Sequence, residues 1–193
     1  MKILAISDIE SKHLLDHFQP ERYRDVDLII SAGDLKSNYL SYVVTMVNRP
    51  LLYVHGNHDK MLLQTPAEGC ECIDDGVFDF KGIRIAGLGG CMTYNGGLLQ
   101  FTEREMSRRI FKNKFKYRKG IDILVTHSPA FGLGDGKDQA HIGYQCFFKL
   151  LDKYEPKLMI HGHQHLNYGI CNREHKYNST RIINAYDHSI IEF

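Results

Sequence analysis

Short apolar runs that stop at aspartate, glycine or histidine recur along this chain. Lys2–Ser7 is apolar at successive positions and ends at Asp8; Asp27–Ala32 ends in the same way at Gly33-Asp34. Runs this short predict strands buried on both faces. Leu40, Val43, Val44 and Val47 follow helical spacing, so Asn38–Asn48 is predicted to be an amphipathic helix. Leu51–His55 predicts a third strand, stopped by Gly56. Strand, helix and strand at this spacing imply parallel pairing through crossovers.

The middle of the chain reads differently. Val77–Phe80 and Ile83–Leu88 flank Lys81-Gly82, which predicts a hairpin. Thr102 with Glu105 is a capping-box signal, opening a helix expected to reach about Arg118. Ile121–Thr126 is a further buried strand, Gly143–Tyr154 a helix, and Leu158–His161 a strand. The tail segments Tyr168–Cys171, Arg181–Ala185 and Ser189–Glu192 read as short antiparallel strands. The pattern is α/β, with mixed sheets packed face to face. The 193 residues, without repeats or a Pro/Ser-rich linker, are expected to form one domain over 1–193.

Composition narrows the function. A net charge of +1 creates no field that would favour nucleic acid or a membrane surface. Five scattered cysteines give no disulfide framework, the N-terminal segment is too soon acidic for a secretory signal, and no apolar run is long enough to span a bilayer. A reduced, cytoplasmic protein is expected. Eleven histidines, three of them within Met159–Leu166, point to metal ligation.

Polar residues stand just past the ends of the buried strands: Asp8, Asp34, Gly56-Asn57-His58-Asp59, His127 and Gly162-His163-Gln164-His165. Strand carboxyl ends are where sites assemble in α/β sheets. Two cations about 3.5–4 Å apart need a bridging ligand, and a carboxylate has two oxygens for that role, with Asp34 as the candidate. Hard and borderline metals accept carboxylate, amide oxygen and imidazole together. No cysteine falls within these motifs, which argues against a thiolate zinc site.

This set, Asp8-Ile9-Glu10, Gly33-Asp34, Gly56-Asn57-His58-Asp59, His127 and Gly162-His163-Gln164-His165, resembles the calcineurin-like metallophosphoesterases over most of the chain. The resemblance implies a four-layer αββα sandwich of two mixed β-sheets flanked by helices. It implies two divalent ions, one held by Asp8, the residue at position 10, Asp34 and His165, the other by Asp34, Asn57, His127 and His163. It implies a water or hydroxide between the ions as nucleophile, His58 as general acid and Asp59 orienting His58. A phosphodiester substrate is expected over a monoester, because Thr126–Asp135 and the segment after His165 are similar to a branch with small phosphodiesterases.

Position 10 departs from the family, which has histidine where this chain has Glu10. The two side chains reach equally far, so Glu10 is expected to ligate. Three carboxylates and a hydroxide would leave the ions without net charge, and the oxygen-rich set favours manganese or iron over zinc, with manganese the first expectation. His141, in the Gly-rich loop Phe131–Gly143, is a candidate substrate contact. His55 and His161 are expected to be packed, and His13, His17, His175 and His188 to lie on the surface. The basic helix residues Arg104, Arg108, Arg109, Lys112, Lys114, Lys116, Arg118 and Lys119 read as a solvated face, with Met106, Ile110, Phe111 and Phe115 turned inward. A small phosphoester is therefore the expected partner. A nuclease or a non-catalytic scaffold of the same fold are the rival readings; the oligomeric state is left open.

Overall fold

The computed structural model describes residues 1–166 and 172–193, so the strand expected at 168–171 lies outside the described residues. The first half runs β1 (Lys2–Ser7), α1 (Lys12–Leu15), α2 (Pro20–Tyr23), β2 (Leu28–Ser31), α3 (Ser37–Val47), β3 (Leu51–Tyr53), α4 (Lys60–Gln64) and β4 (Cys70–Cys72). The hairpin β5 (Val77–Phe80) and β6 (Ile83–Leu88) follows, then β7 (Cys91–Met92), β8 (Gln100–Phe101), α5 (Glu103–Lys112) and α6 (Lys114–Tyr117). The chain continues through β9 (Ile123–Thr126), α7 (Phe148–Tyr154), β10 (Leu158–His161), β11 (Glu174–Tyr177), β12 (Thr180–Asn184) and β13 (Asp187–Glu192).

Two large mixed sheets result. One has the order β13-β1-β2-β3-β4, the other β11-β12-β10-β9-β6-β5. The central strands of each are parallel, and antiparallel strands close three of the four edges. The continuous apolar runs follow from burial on both sides. Ile3, Ala5, Leu28 and Ile30 pack between the sheets against Ile85, Val125 and Ile160. Their neighbours Leu4, Ile6 and Ile29 face α3 through Leu40 and Val43. On the other sheet, Leu124 and Met159 pack under α5 and α7 through Met106, Leu150 and Leu151. The expected layered architecture is present. The β5–β6 turn has positive φ at both Lys81 (53°) and Gly82 (83°), as a two-residue hairpin turn requires.

Several elements differ from the sequence pattern. The basic helix stops at Lys112: the Asn113 side chain donates to Asp75 Oδ1 and to Arg109 O, and α6 begins beyond it. The inward stripe is Met106, Arg109, Ile110, Asn113 and Tyr117, so Arg109 is buried while Phe111 and Phe115 are 66% and 71% exposed. The two aromatics were expected inside and Arg109 outside; a run crowded with basic residues conceals which one faces the sheet. The expected helix from Gly143 starts later, because Tyr144 pairs with Ala130 as an isolated bridge and a Cβ on Gly143 would strike Ala130. A 3₁₀ turn at Gln145–Phe147 then leads into α7. In the tail, β12 pairs parallel with β10, not antiparallel as expected. No helix among the described residues is long and apolar enough to cross a membrane.

Candidate metal centre

Every strand-end motif converges on one rim where the two sheets meet. Asp8 follows β1, Asp34 follows β2 and Asn57 follows β3; from the second sheet come His127 after β9 and His163 after β10. Asp8, Asp34 and His163 adopt left-handed backbone, with φ of 68°, 57° and 68°. Such conformations cost free energy in non-glycine residues and cluster at functional sites. Here they turn the chain sharply at the strand end, and hydrogen bonds hold the turns. Asp8 N–H donates to Gly33 O at 3.1 Å, and the Asp8 carboxylate accepts from His163 N–H at 3.0 Å. Two motif glycines are needed for close approach. A Cβ on Gly56 would collide with the Asp34 carboxylate, and one on Gly162 with Ser7 Oγ and Asp8 Oδ2.

The side-chain geometry calls for a cation. His127 is fully buried, and its Nδ1 lies 2.7 Å from the carbonyl of Ala32, which can only accept. Nδ1 is therefore the protonated nitrogen, and the Nε2 lone pair faces Asn57 Oδ1 at 2.9 Å and Asp34 Oδ2 at 3.4 Å. His163 repeats the logic: Nε2–H donates to Ala140 O at 2.7 Å, which leaves Nδ1 as the electron-pair donor. One ligand atom each from Asp34, His127 and His163 lies within 4.8 Å of the others. Lone pairs facing one another in a buried site require a shared proton or a metal ion. The donor types, carboxylate, amide oxygen and imidazole, fit a divalent metal.

Without metal, a proton on His127 takes the place of the cation. Burial would raise the Asp34 carboxyl, but His127 and the His58 N–H at 2.7 Å bring it down to about 2. Burial likewise opposes charge on His127, yet Asp34 and then Asp8 lift it to about 9. His163 is pushed down to about 3 by burial and by the neighbouring His127. Burial also raises Asp8, with His127 pulling the other way.

The remaining expected residues fall as follows. His165 Nε2 stands 3.9 Å from Asp8 Oδ1 and its ring packs against Tyr186. The Glu10 carboxylate lies 3.1 Å from Lys36 Nζ. His58 is exposed at the cleft wall, its backbone fixed on Asp34. Asp59 is buried beneath, where Oδ2 accepts from Gly56 N–H at 2.7 Å and Asp34 N–H at 2.8 Å. Its bonds thus hold the two metal-site loops, and none to the His58 ring occurs among the described residues. Burial and the Asp34 charge raise Asp59 to about 6. His141 lines the same cleft, with Nδ1 2.8 Å from Asp138 Oδ1. His55 and His161 are buried, as expected.

Two participants escaped the sequence reading. Tyr94 lines the cleft, and its hydroxyl accepts from Asn57 Nδ2 at 3.4 Å, which turns Asn57 Oδ1 toward His127. The Ala140 carbonyl sets the His163 tautomer. The glycine pairs bracketing Tyr94 were the only available signal for the first, and a backbone carbonyl leaves none.

Comparison with known proteins agrees with this geometry. A solved crystal structure aligns over 96% of this chain and 90% of its own, with a TM-score of 0.66 at 15% identity. The crystal structure of TT1561 of Thermus thermophilus aligns over 96% of this chain and 89% of its own, with a TM-score of 0.63 at 16% identity. At such identities the likeness is one of fold. No curated protein sequence matches the chain. Residues 1–167 match the description calcineurin-like phosphoesterase, which spans every motif at the rim. The chain belongs to the calcineurin-like phosphoesterase family, whose membership supports a metal-dependent phosphoester hydrolase.

Proposed function

We propose that this protein hydrolyses phosphodiesters with two divalent ions. The observation that carries the reading is the convergence of His127 Nε2 on Asn57 Oδ1 at 2.9 Å and Asp34 Oδ2 at 3.4 Å, beside His163, where a metal ion would replace the proton that His127 otherwise carries. One ion would be held by Asp8, Glu10, Asp34 and His165, and the other by Asp34, Asn57, His127 and His163, with Asp34 shared. Glu10 would exchange Lys36 for the ion. The three carboxylates favour manganese or iron over zinc, with manganese the first expectation. When bound, the ions supply Lewis acidity, making water acidic enough to attack at neutral pH and offsetting charge on the phosphoryl oxygens.

The chain's own groups do the rest. His58 stands at the cleft wall with its backbone tied to Asp34, and its imidazole donates a proton to the departing oxygen. A general acid of this kind contributes about 10²–10⁴-fold. Asp59 holds the loops of Asp34 and Gly56 in register. His141, its Nδ1 occupied by Asp138, presents Nε2 to the substrate.

The test is a screen of the purified protein against manganese, iron and zinc with bis-p-nitrophenyl phosphate, p-nitrophenyl phosphate and single-stranded oligonucleotides, with metal stoichiometry measured in parallel. The expected result is salt-insensitive diester hydrolysis with two ions per chain. His58→Asn is expected to retain both ions and lose about 10²–10⁴-fold in turnover. A wild type that binds metal and hydrolyses no phosphoester would sink the reading in favour of a non-catalytic scaffold.

A further inference from the structure

The catalytic rim opens into two lobes rather than one. The first, about 360 Å³, is lined by Asp8, Asn57, His163 and His165, with Tyr94 beside Asn57 and His141 beside His163. The second, about 470 Å³, is lined by the apolar Leu35, Met61 and Leu62, with Lys36, Ser37, Asn38 and Asp59 on its polar side. Only Asp34 and His58 border both. The candidate ligands other than Asp34 that line either lobe lie in the first, so the phosphoryl group belongs there.

We infer that the second lobe, beyond His58, is the leaving-group subsite, that it selects alcohols bearing a flat apolar face such as aryl or nucleoside groups, and that the Tyr94 and His141 wall of the first lobe holds the other ester substituent. The inference rests on the hydrolase reading and goes further by assigning each side of the substrate to its own wall. A general acid must touch the oxygen that departs. His58 forms the boundary between the lobes, so the group carried by that oxygen continues past it. The chemistry of the second lobe suits an aromatic ring. Leu35 and Leu62 are buried and supply an apolar floor, while Met61, 68% exposed, stands beside them as a polarisable thioether. That wall of the first lobe is polar: the Tyr94 hydroxyl and the His141–Asp138 pair offer hydrogen bonds to the retained ester group.

Two substrates with one leaving group separate the walls. p-Nitrophenyl phosphate and bis-p-nitrophenyl phosphate both release p-nitrophenol, but only the second carries another substituent. Met61→Ala is expected to raise KM roughly five- to tenfold for both esters at unchanged kcat, the signature of lost uniform binding. His141→Ala is expected to raise KM for the diester alone. Calorimetric binding of p-nitrophenyl phosphate to the slow, metal-loaded His58→Asn protein, with and without Met61→Ala, repeats the comparison without turnover. Unchanged KM and unchanged binding in Met61→Ala would overturn the assignment of the second lobe; equal effects of His141→Ala on both esters would overturn that of the first. Binding that depends on Met61 in a protein whose wild type hydrolyses neither ester would leave the subsite standing and remove the hydrolase reading instead.

Discussion

Two buried acidic clusters lie behind the same cleft, and they have opposite character. Asp74 is 12% exposed at its side chain and is saturated by the protein: its carboxylate takes His55 Nδ1 at 3.0 Å, Gly89 N–H at 2.7 Å and Arg109 Nη2 at 2.8 Å. Arg109 in turn donates to Gly89 O and Asp75 and lies 4.4 Å from the Phe101 ring centre. Burial opposes charge on His55, but Asp74 lifts it to about 10, so the cluster neutralises itself. Asp34 is as deeply buried, at 9%, yet it has no permanent cation beside it: its side-chain partner is His127, with Asn57 and His163 close by, and Asp34 and His163 sit on left-handed backbone. A buried carboxylate is therefore no mark of a site in itself. The mark is a set of ligand-type groups converging around a single removable proton on His127, where the Asp74 cluster holds the permanent cation Arg109.

The contrast predicts that damage to the two clusters will separate activity from stability. Asp34→Asn removes the carboxylate proposed to be shared by the two ions and is expected to lower turnover on the order of 10³-fold and to abolish the proposed two-ion stoichiometry. Melting of the metal-free protein should fall only modestly: the attraction to His127 that helps hold Asp34 at about 2 is lost, while the asparagine Oδ1 can still accept from His58 N–H. Circular dichroism after chelation, beside kinetics in excess manganese, measures both. A large loss of metal-free stability would make Asp34 a structural residue and erase the distinction.

Arg109→Met should do the reverse. Breaking one side of a buried pair costs about 3–5 kcal/mol, or a melting temperature lower by roughly 10 °C, with activity per folded molecule within a few-fold of wild type. The pH dependence carries a sign. Burial alone would raise Asp74, but His55, Arg109 and Gly89 hold it below the usual carboxylate range. A depressed native value contributes stability that is present above about pH 4 and lost as pH falls through it. The deficit of Arg109→Met should thus be full at neutral pH and shrink on acidification. A deficit that stays constant down to about pH 3, below the ordinary aspartate value, would mean that Arg109 acts by packing on Phe101 rather than by charge.

The difference between the clusters also explains what the amino-acid pattern revealed. Asp8, Asp34, Asn57, His127 and His163 were legible because each ends an apolar run, and because the glycines at 33, 56 and 162 stand beside them. Burial on both faces made the runs visible, and the strand end itself aims the ligand. Arg109 was not legible, since eight basic residues crowd α5, α6 and their flanks, and charge alone does not tell which one points inward. Asp59 looked like a partner for the adjacent His58, but its carboxylate reaches back to Asp34 N–H, a contact across 25 positions. Tyr94 and the Ala140 carbonyl sit on loops without period, where only three-dimensional proximity assigns a role.

Tyr94 supports a smaller prediction on the open cluster. Its hydroxyl accepts from Asn57 Nδ2 at 3.4 Å, long for a hydrogen bond. Tyr94→Phe therefore sacrifices the lower end of the usual net value, about 0.5–1 kcal/mol, and should weaken manganese binding about three-fold by calorimetry. An Asn57 amide held firmly without Tyr94 would leave affinity unchanged, and His127 alone would then set its orientation.

The smallest expected effect lies at the edge of the comparison, where Glu10 takes a cation from the chain in the manner of the Asp74 cluster while standing near the open one. Lys36 and Glu10 are 3.1 Å apart, with side chains 75% and 32% exposed. Solvent-exposed pairs of this sort are worth about 0.2–1 kcal/mol. If Glu10 must leave Lys36 to hold the first ion, Lys36→Met removes a competitor and also a positive charge near the metals, and both act in the same direction. Manganese affinity at the first site should rise about two-fold, the lower part of the range for a pair so exposed, with the gain largest at low ionic strength, where the pair is least screened. The measurement is calorimetry without substrate, so that the Lys36 side of the second lobe does not enter. Glu10→Gln provides the control: it should weaken the first site and make Lys36→Met silent in the double variant. If Lys36→Met still tightens binding by the same factor in the Glu10→Gln background, the effect is field alone, and Glu10 belongs with the saturated residues rather than with the ligands.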